Sequence, residues 1–592
     1  MGLFGALYVG TSGLQTSQEA LNVVAHNITN ADTEGYTRQQ VSEGTREYQR
    51  LSMNIDGVAQ KQTGLGVFIN EVRQVRDQFL DASYREETGR KSFYETSYAA
   101  IEEVEEILGE LDGATFYESL TDLWDSIEEL VKDPSSEVCQ SMFVQYAQSF
   151  VEASGNVYQD FSDYQDKLDY KVRTTVDDIN DIGHKIYKLN EKIRGIEAGS
   201  VENANDLKDQ RNKLIDTLAE YGNVSYQSDF FGNILVKFEG HDFVMMDKVN
   251  EMAYNVDENS GFAKLYWPDI AESYRDSYGR KVYDADTAPV YNFDIGISSI
   301  NDTDLGSLKA AYLARGDHRG NWTDLQTSAG YDAVKESVMM NVMAEFDGLV
   351  RNVVTAVNDV LKEAAEAASL INPNSKYMRD ENGDPLQLFM RIGVDETTDP
   401  DLISSDKIAS GEYSAVMDRG RNGYYVVTDS NGNTLEARYT KNANGDYIAE
   451  SKAWFSVPNL VVNQDLQQYP THLGFMMPDG SVDYQTAKAL EQAFLDEKYI
   501  LNPDLTNAIS ITGFYSNLVS QVSNSGNIYK SLSENQGLTV ESIEGTRQGT
   551  LGVSTDEELS NMIKFQNAYN ASSRFINVID ECTEHIINTL GT

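Results

Sequence analysis

Hydrophobic positions recur with a helical period in three long runs of the chain. Leu3, Leu7, Gly10, Leu14, Ser17, Leu21, Val24 and Ile28 alternate by four and three, a heptad stripe. A helix over 3–28 would be roughly 40 Å long. Near the other end Phe565, Ala568, Ser572, Phe575, Ile579, Cys582 and Ile586 repeat the alternation, and Tyr569, Ile576 and Leu590 broaden the stripe. Thr555 is the expected N-cap of that helix, with Glu558 completing a capping box. Asp556, Glu557 and Glu558 set negative charge at the positive end of its dipole. Between these runs Leu168, Val172, Thr175, Ile179, Ile182, Ile186, Leu189, Ile193 and Ile196 form a third, with charges filling the other faces. That pattern predicts a long helix in a bundle or coiled coil. Helical patterning also covers 92–110, 116–132 and 333–368, and a further helix over Asp206–Glu220 after a break at Gly195, Gly199 and Ser200.

Elsewhere the period drops to two. Tyr226 to Met246 alternates around Gly232-Asn233 and Glu239-Gly240, which predicts a small meander. A clearer one is Tyr424–Thr428, Thr434–Thr440 and Tyr447–Glu450, with Asn431-Gly432 and Asn444-Gly445 in its turns. The expected fold is therefore multidomain α+β, with terminal helices, a long-helix bundle and an inserted β-rich outer domain. Its expected division is 1–60 with 545–592 for the terminal helices, and 61–220 with 305–368 and 505–544 for the bundle. A small β-rich region takes 221–304, and the outer β-rich domain takes 369–504.

Charge changes the picture. The chain of 592 residues carries 47 Lys or Arg against 94 Asp or Glu, a formal net charge of −47. Wrapping nucleic acid or lying on anionic lipid needs a basic surface, so neither is an expected partner. No stretch approaches the roughly 20 apolar residues that span a bilayer. Yet in residues 1–31 the only formally charged side chain is Glu19. A solvated amphipathic helix has a charged outer face and a membrane-surface one a basic face. This helix has neither, and reads as enclosed by protein on most sides. Spacing does not say whether that protein is the chain's own core or a neighbouring subunit.

Candidate chemistry is sparse. Cys139 and Cys582 are far apart in sequence and read as small core hydrophobes, a single long-range bridge being the alternative. The six histidines show no ligand spacing. There is no Gly-x-Ser-x-Gly, P-loop or His-Glu-x-x-His. Gly64-Leu65-Gly66 reads as a turn before a strand at Val67–Val72. Asp380-Glu381-Asn382-Gly383-Asp384 and Asp284-Ala285-Asp286 read as solvated turns and not calcium loops. No catalytic residue, cofactor or metal is expected. Met1 to Gly13 carries no basic region and no cleavage signal, so the expectation is a cytoplasmic protein, or one exported without a cleaved leader.

Five blocks of sequence carry a resemblance. Leu21-Asn22-Val23-Val24-Ala25-His26-Asn27-Ile28-Thr29-Asn30-Ala31, followed by Thr33-Glu34-Gly35-Tyr36-Thr37-Arg38-Gln39, resembles the amino-terminal signature of bacterial flagellar axial proteins. The Gly-Tyr-Thr-Arg-Gln ending is similar to the hook-associated protein 1 branch of that family. Gly64-Leu65-Gly66-Val67 with Arg76-Asp77-Gln78-Phe79-Leu80 is similar to the same branch, as is Ala204-Asn205-Asp206-Leu207-Lys208-Asp209-Gln210-Arg211. So is Gly552-Val553-Ser554-Thr555-Asp556-Glu557-Glu558 leading to Phe565-Gln566-Asn567-Ala568-Tyr569-Asn570-Ala571-Ser572. The resemblance covers roughly 1–245, 305–360 and 510–592.

The resemblance implies that the two ends pair as a coiled coil inside a tubular polymer, which explains the uncharged outer face. Asn30 then ends the first helix, and Gly35 takes a positive φ in the turn before Tyr36. The implied assembly interface is Leu3, Leu7, Leu14, Leu21, Val24, Asn27, Ile28, Asn30 and Tyr36 with Phe565, Ala568, Tyr569, Phe575, Ile576, Ile579, Ile586 and Leu590. The implied role is a secreted structural adaptor at the junction of flagellar hook and filament. Its implied partners are its own copies in a ring, hook protein on one side, and a second junction protein or flagellin on the other. An export chaperone at the carboxyl-terminal helix is the further implied partner. Two other readings stay open: a hook, rod or filament subunit, or a secreted glycan-binding or glycan-hydrolysing protein using the outer domain.

Overall fold

The computed structural model describes residues 3–46, 49–53, 60–109, 116–199, 203–229, 232–257, 260–275, 279–293, 296–372, 375–380, 383, 385–391, 402–417, 424–430, 434–441, 445, 447–449, 455–477 and 479–590. Eight helices lead its α-helical part: α1 (Leu3–Thr29), α2 (Gln78–Gly109), α3 (Phe116–Lys132), α4 (Glu137–Glu197), α5 (Asn205–Tyr221), α6 (Ser307–Arg315), α7 (Ser328–Val334) and α8 (Val338–Ile371). Two more close the chain, a penultimate helix (Ile511–Leu551) and a carboxyl-terminal helix (Thr555–Leu590). The mixed α+β class is as expected.

The central body is built on α4, which runs unbroken for 61 residues, roughly 90 Å. Ser136 caps it by accepting from the Cys139 amide. Gly195 lies inside it, so the break expected there comes later, after Glu197. The helix carries two cores on successive stretches. Its first half packs with α2, α3, α8 and the penultimate helix around Phe116, whose ring lies 4.8 Å from Phe346, 5.1 Å from Tyr515 and 5.5 Å from Phe150. Its second half presents Val172, Val176, Ile179 and Ile186 to α5, α6 and an antiparallel sheet of β5 (Val224–Ser228), β6 (Ile234–Phe238) and β7 (His241–Val244). Ile196, the last position of the expected stripe, is exposed.

The region expected as one outer β-rich domain divides in two. A five-stranded antiparallel sheet between Leu402 and Ala449 has its own small core of Ile403, Val427, Leu435, Tyr439 and Tyr447. The segments around it, including Phe389, Phe475 and a helix at Tyr484–Leu495, pack into the core of the helical body instead. Asn431, Gly432 and Asn444 lie outside the described residues; Gly445 has φ 89°.

Buried polar groups fasten these layers. Glu345 of α8 is fully buried and accepts from Asn502 Nδ2 at 2.7 Å and from Gln521 Nε2 at 3.0 Å, which ties the penultimate helix to α8. Burial pushes its carboxyl up to about 7. Gly526 of the penultimate helix lies against Ile101 and Glu105 of α2, where a methyl group would sit at 3.1 Å from the nearest atom.

The ends of the chain pair outside this body. Helix α1 lies along the carboxyl-terminal helix, and the contact is made by small residues. A Cβ on Gly10 would fall 2.8 Å from Ile576 Cγ1, and one on Gly13 2.8 Å from Ser572 Oγ. The buried positions of α1 are Gly10, Ser12, Thr16, Ser17, Ala20, Val24 and Asn27. Leu7 is exposed, while Leu14, Leu21 and Ile28 are half-buried at the rim. A strand pair, β1 (Gln39–Thr45) with β4 (Val67–Gln74), flanks α1 in register Gln39 to Gln74. Gly66 enters β4 with φ 93° and lies so close to Ser12 that any side chain there would collide.

The close approach at Gly10 predicts a sign reversal. Glycine to alanine in an open helix stabilises by up to about 1 kcal/mol, and Gly5, with no neighbour within 4 Å, should follow that rule as Gly5→Ala. Gly10→Val should instead loosen the pair by about 1–3 kcal/mol. Hydrogen exchange in α1 and the carboxyl-terminal helix is then faster for Gly10→Val, with α4 unchanged; equal exchange in both variants would refute the close seam.

Candidate assembly site: the terminal helix pair and its anchor

Where α1 ends, the chain turns through Asn30 to Gly35, which has φ 81°, and presents Tyr36, Thr37 and Arg38 back to the helices. Asn27 is 1% exposed, and all four of its side-chain sites are filled. Its Nδ2 donates to the Gln39 carbonyl at 2.9 Å and to Glu558 Oε2 at 3.1 Å. Its Oδ1 accepts from the Tyr36 hydroxyl at 2.8 Å and the Gln39 amide at 3.0 Å. Because Tyr36 gives its proton to Asn27, the 3.0 Å contact with His26 Nδ1 requires that nitrogen to be the donor. Burial, with the charges of Asp206 and Asp209 adding, holds the Tyr36 phenol well above its ordinary value.

Glu558 is the anchor of the carboxyl-terminal helix. It is 2% exposed and accepts from Arg38 Nε and Nη2, both at 2.9 Å, as well as from Asn27. Arg38 also reaches Glu557 at 2.9 Å, and its amide donates to the Leu551 carbonyl at 2.9 Å. This corrects the expected capping box. Glu558 is spent on Arg38 and Asn27, so the cap falls to Ser554, whose Oγ accepts from the Glu557 amide, and Thr555 is the first helical residue.

A second group of charges joins this anchor to the body. Asp209 of α5 accepts from the Thr37 amide at 3.1 Å and from Gln74 Nε2 at 2.7 Å. Asp216 accepts from Arg85 Nε at 2.6 Å and from Arg547 Nη2 at 2.5 Å, bridging α2, α5 and the penultimate helix. Arg76 holds Asp81 at 2.5 Å. The block at Ala204–Arg211 thus serves as the seat for the chain between α1 and β1.

The carboxyl-terminal stripe is rotated from its expected phase. Phe565, Tyr569, Ser572, Ile576 and Ile579 face inward, half-buried or buried, whereas Ala568, Phe575, Cys582 and Ile586 are exposed. Cys582 is therefore no core residue; the seam follows residues whose neighbours on α1 are small enough to be approached. Cys139 is half-buried beside the main core, and both cysteines are free. Leu3 and Leu590 lie within their helices, but their side chains are outside the described set. Exposed apolar side chains remain along the carboxyl-terminal helix, among them Val578 and Ile586 with Leu559, Ile563 and Ile587, while Phe575 is partly exposed at the edge of its contact with Gly10. Among the described residues no group of three His, Cys, Asp or Glu could hold a metal ion, and no helix is long and apolar enough to cross a membrane.

Helices from the two ends of a chain, held together over an acid–base anchor and carrying apolar surface outward, suit a protein that assembles through its termini. Comparison with known proteins gives the class. The model for flagella basal body rod proteins matches residues 7–37, and the carboxyl-terminal model for the flagellar basal body rod FlgEFG proteins matches residues 547–589. Both ends are thus those of a bacterial flagellar axial protein. Between them, residues 101–279 match the helical domain of flagellar hook-associated protein FlgK. Flagellar hook-associated protein 1 of Bacillus subtilis (strain 168) is 25% identical over 595 residues, covering 99% of this chain and 98% of that protein. That of Escherichia coli (strain K12) is 22% identical over 593 residues, covering 98% of each. The flagellar hook junction protein FlgK from Burkholderia pseudomallei shares the fold, with a TM-score of 0.50 at 13% identity, over 80% of this chain and 100% of that one. Along nearly its whole length the chain is therefore similar to flagellar hook-associated protein 1, a flagellar axial component. Its relatives are structural flagellar proteins and not enzymes.

Two variants test the anchor. Glu558→Gln orphans the buried side of Arg38 and should cost about 2–4 kcal/mol of local stability, seen as faster hydrogen exchange over 20–40 and 551–565. Unchanged protection there would contradict the anchor. Burial raises the Asp209 carboxyl from 3.8 to about 6. Since the folded-state value lies above the free one, its stabilisation is full below pH 3.8 and is lost as pH rises through about 6. Protection of residues 37–39, corrected for intrinsic exchange, should therefore fall between pH 5 and pH 7 in the parent and fall less in Asp209→Asn.

Proposed function

We propose that this protein is a structural adaptor between flagellar hook and filament, built into the flagellum through its two terminal helices. The observation that carries the reading is the apolar surface left open on the paired ends. Val578 is 55% and Ile586 42% exposed, beside a first helix with almost no charge. Burying a Leu- or Phe-sized side chain is worth about 1.5–3 kcal/mol, so a few such residues offset the ordering of a helix end. The remaining surface, at −47 overall, keeps free subunits apart until the ends are engaged.

In this reading Leu7, Leu14, Leu21, Ala568, Phe575 and Ile586 meet neighbouring copies in a ring, with Leu3 and Leu590 at the outer ends of the same helices. Val24, Asn27, Ile28, Asn30, Tyr36, Phe565, Tyr569, Ile576 and Ile579 hold the pair in the form that assembles. The helical body and the outer sheet of residues 402–449 lie outside the terminal contact as separate units. Hook protein lies on one side of the ring and a second junction protein or flagellin on the other. Before export a chaperone covers the open stripe of the carboxyl-terminal helix.

Deleting the gene tests the position in the flagellum. Bare hooks, with flagellin shed into the medium, are the expected result. Missing hooks would move the protein inward to rod or hook, and normal filaments would refute the role. Ile586→Asp tests the surface: the subunit should fold, because Ile586 is 42% exposed and outside the core, yet fail to enter flagella. Normal incorporation would overturn the proposed contact.

A further inference from the structure

Glu345 of α8 has no accessible surface, and two side-chain amides hold its carboxyl. Asn502 Nδ2 donates to Oε1 at 2.7 Å, and Gln521 Nε2 donates to both oxygens at 3.0 Å. Asn502 Nδ2 also donates to Gln521 Oε1 at 3.2 Å. The group thus joins α8, the segment at Asn502 and the first half of the penultimate helix. Two acceptors are left over. Asn502 Oδ1 is buried with no donor among the described residues, and so is Asn341 Oδ1, one turn earlier on the same side of α8.

Among the described residues no cation pairs with this carboxyl. From Ile511 to Tyr529 the penultimate helix has no formal charge and brings only the phenols of Tyr515 and Tyr529. From α7 the Tyr331 phenol faces Glu345, held above its ordinary value by burial and then by the carboxyls of Glu345 and Asp504. Lys335, just after α7, is bound to Asp332 at 2.5 Å and lies 4.0 Å from Asp504. On other faces of α8, Asp347 accepts from the Trp322 and Val457 amides and the Ser456 hydroxyl, while Arg351 covers the Trp322 ring. Arg315, which ends α6, is bound to Asp169 of α4. Glu105 of α2 lies against Gly526, and Lys488 of the helix at Tyr484–Leu495 is exposed.

An ionised carboxyl offers acceptors alone, where two acceptors already lack a donor, whereas its acid form brings an O–H. With the Asn502 amide turned over, that O–H donates across the 2.7 Å contact, an ordinary O–H···O length. A buried charge without a counter-ion is costly, so the site favours the neutral acid. We propose that Glu345 is a proton latch, which as the neutral acid seats the first half of the penultimate helix on α8 and on ionising releases it.

Burial pushes the Glu345 carboxyl up to about 7, against 4.5 for the free group. The folded value is the higher one, so the stabilisation is full below pH 4.5 and is lost as pH rises through about 7. The test is hydrogen exchange over residues 511–529 of the full chain at pH 5 and pH 8, corrected for intrinsic exchange, in the parent and in Glu345→Gln. Gln has the shape of the neutral acid and cannot ionise. Protection in the parent should fall at least about tenfold between the two conditions, and protection in the variant several-fold less. At pH 8 Glu345→Gln should therefore be the better protected of the two. An infrared carboxylic-acid band at pH 6, present in the parent and missing from the variant, reads the proton itself. Its absence from the parent overturns the latch, as does equal pH dependence in parent and variant, or a parent whose protection does not change. Failure of Glu345→Gln to fold overturns it too, because a neutral side chain of that shape is what the latch requires. All of these readouts are taken on the free subunit, so none depends on the self-assembly reading above.

Discussion

The carboxylate of Glu558 holds the two ends of the chain together. It is buried, and its acceptor sites are used by Arg38 and Asn27, residues at the far end of the sequence. A buried charge is tolerable only when paired and hydrogen-bonded, so the ion pair fixes the geometry of everything it touches. The first turn of the carboxyl-terminal helix can start in one place only, and the last turn of α1 must end beside it. The strand pair that follows α1 then takes its direction from Gln39, whose main chain is bound on both sides by Asn27.

From that anchor the helices run together along a face of α1 made of glycine, serine, threonine and alanine, against Phe565, Tyr569, Ile576 and Ile579 of the carboxyl-terminal helix. The small residues of α1 let the helices approach closely, so that Ile576 and Phe575 lie against Gly10, while Leu7 of α1 and Val578 and Ile586 of the carboxyl-terminal helix stay exposed. The consequence is a pair that is specific inside the chain yet still apolar outside it. A leucine-packed seam would have consumed the surface that assembly needs. The body meets the pair through charges instead, with Asp209 and Asp216 of α5 holding the segment before β1, α2 and the penultimate helix. Through two of its three aspartates α5 thereby couples the paired ends to the 61-residue α4 and its cores.

Much of this was legible in the sequence. The long heptad runs gave helices nearly where the structure has them, and Gly232 and Gly240 marked the turns of the β5–β7 meander. What was not legible was phase and partnership. A stripe of mixed leucines and small residues fits two adjacent faces of a helix, and only the partner's side chains decide which one closes. Thus Cys582 looked as inward as Ile579. Glu558 resembled a capping residue because nothing local reveals its partner Arg38, half-buried and 520 positions away. The same limit hid Glu345, whose acceptors are met by Asn502 and Gln521. Residues 455–501 were misplaced because their β-like composition did not disclose that the large helical core would absorb them.

The central claim is that the open face of the carboxyl-terminal helix becomes covered on assembly, and the chain carries its own probe of that face. Cys582 is exposed there beside Val578 and Ile586, while Cys139, half-buried in the body, is an internal reference. Thiol labelling of the free subunit and of the same protein within isolated flagella, with the two sites separated by peptide mapping, measures the covering directly. The account predicts rapid labelling of Cys582 in the free subunit and loss of that reactivity in flagella, with Cys139 little changed. Equal labelling of Cys582 in both states would contradict it.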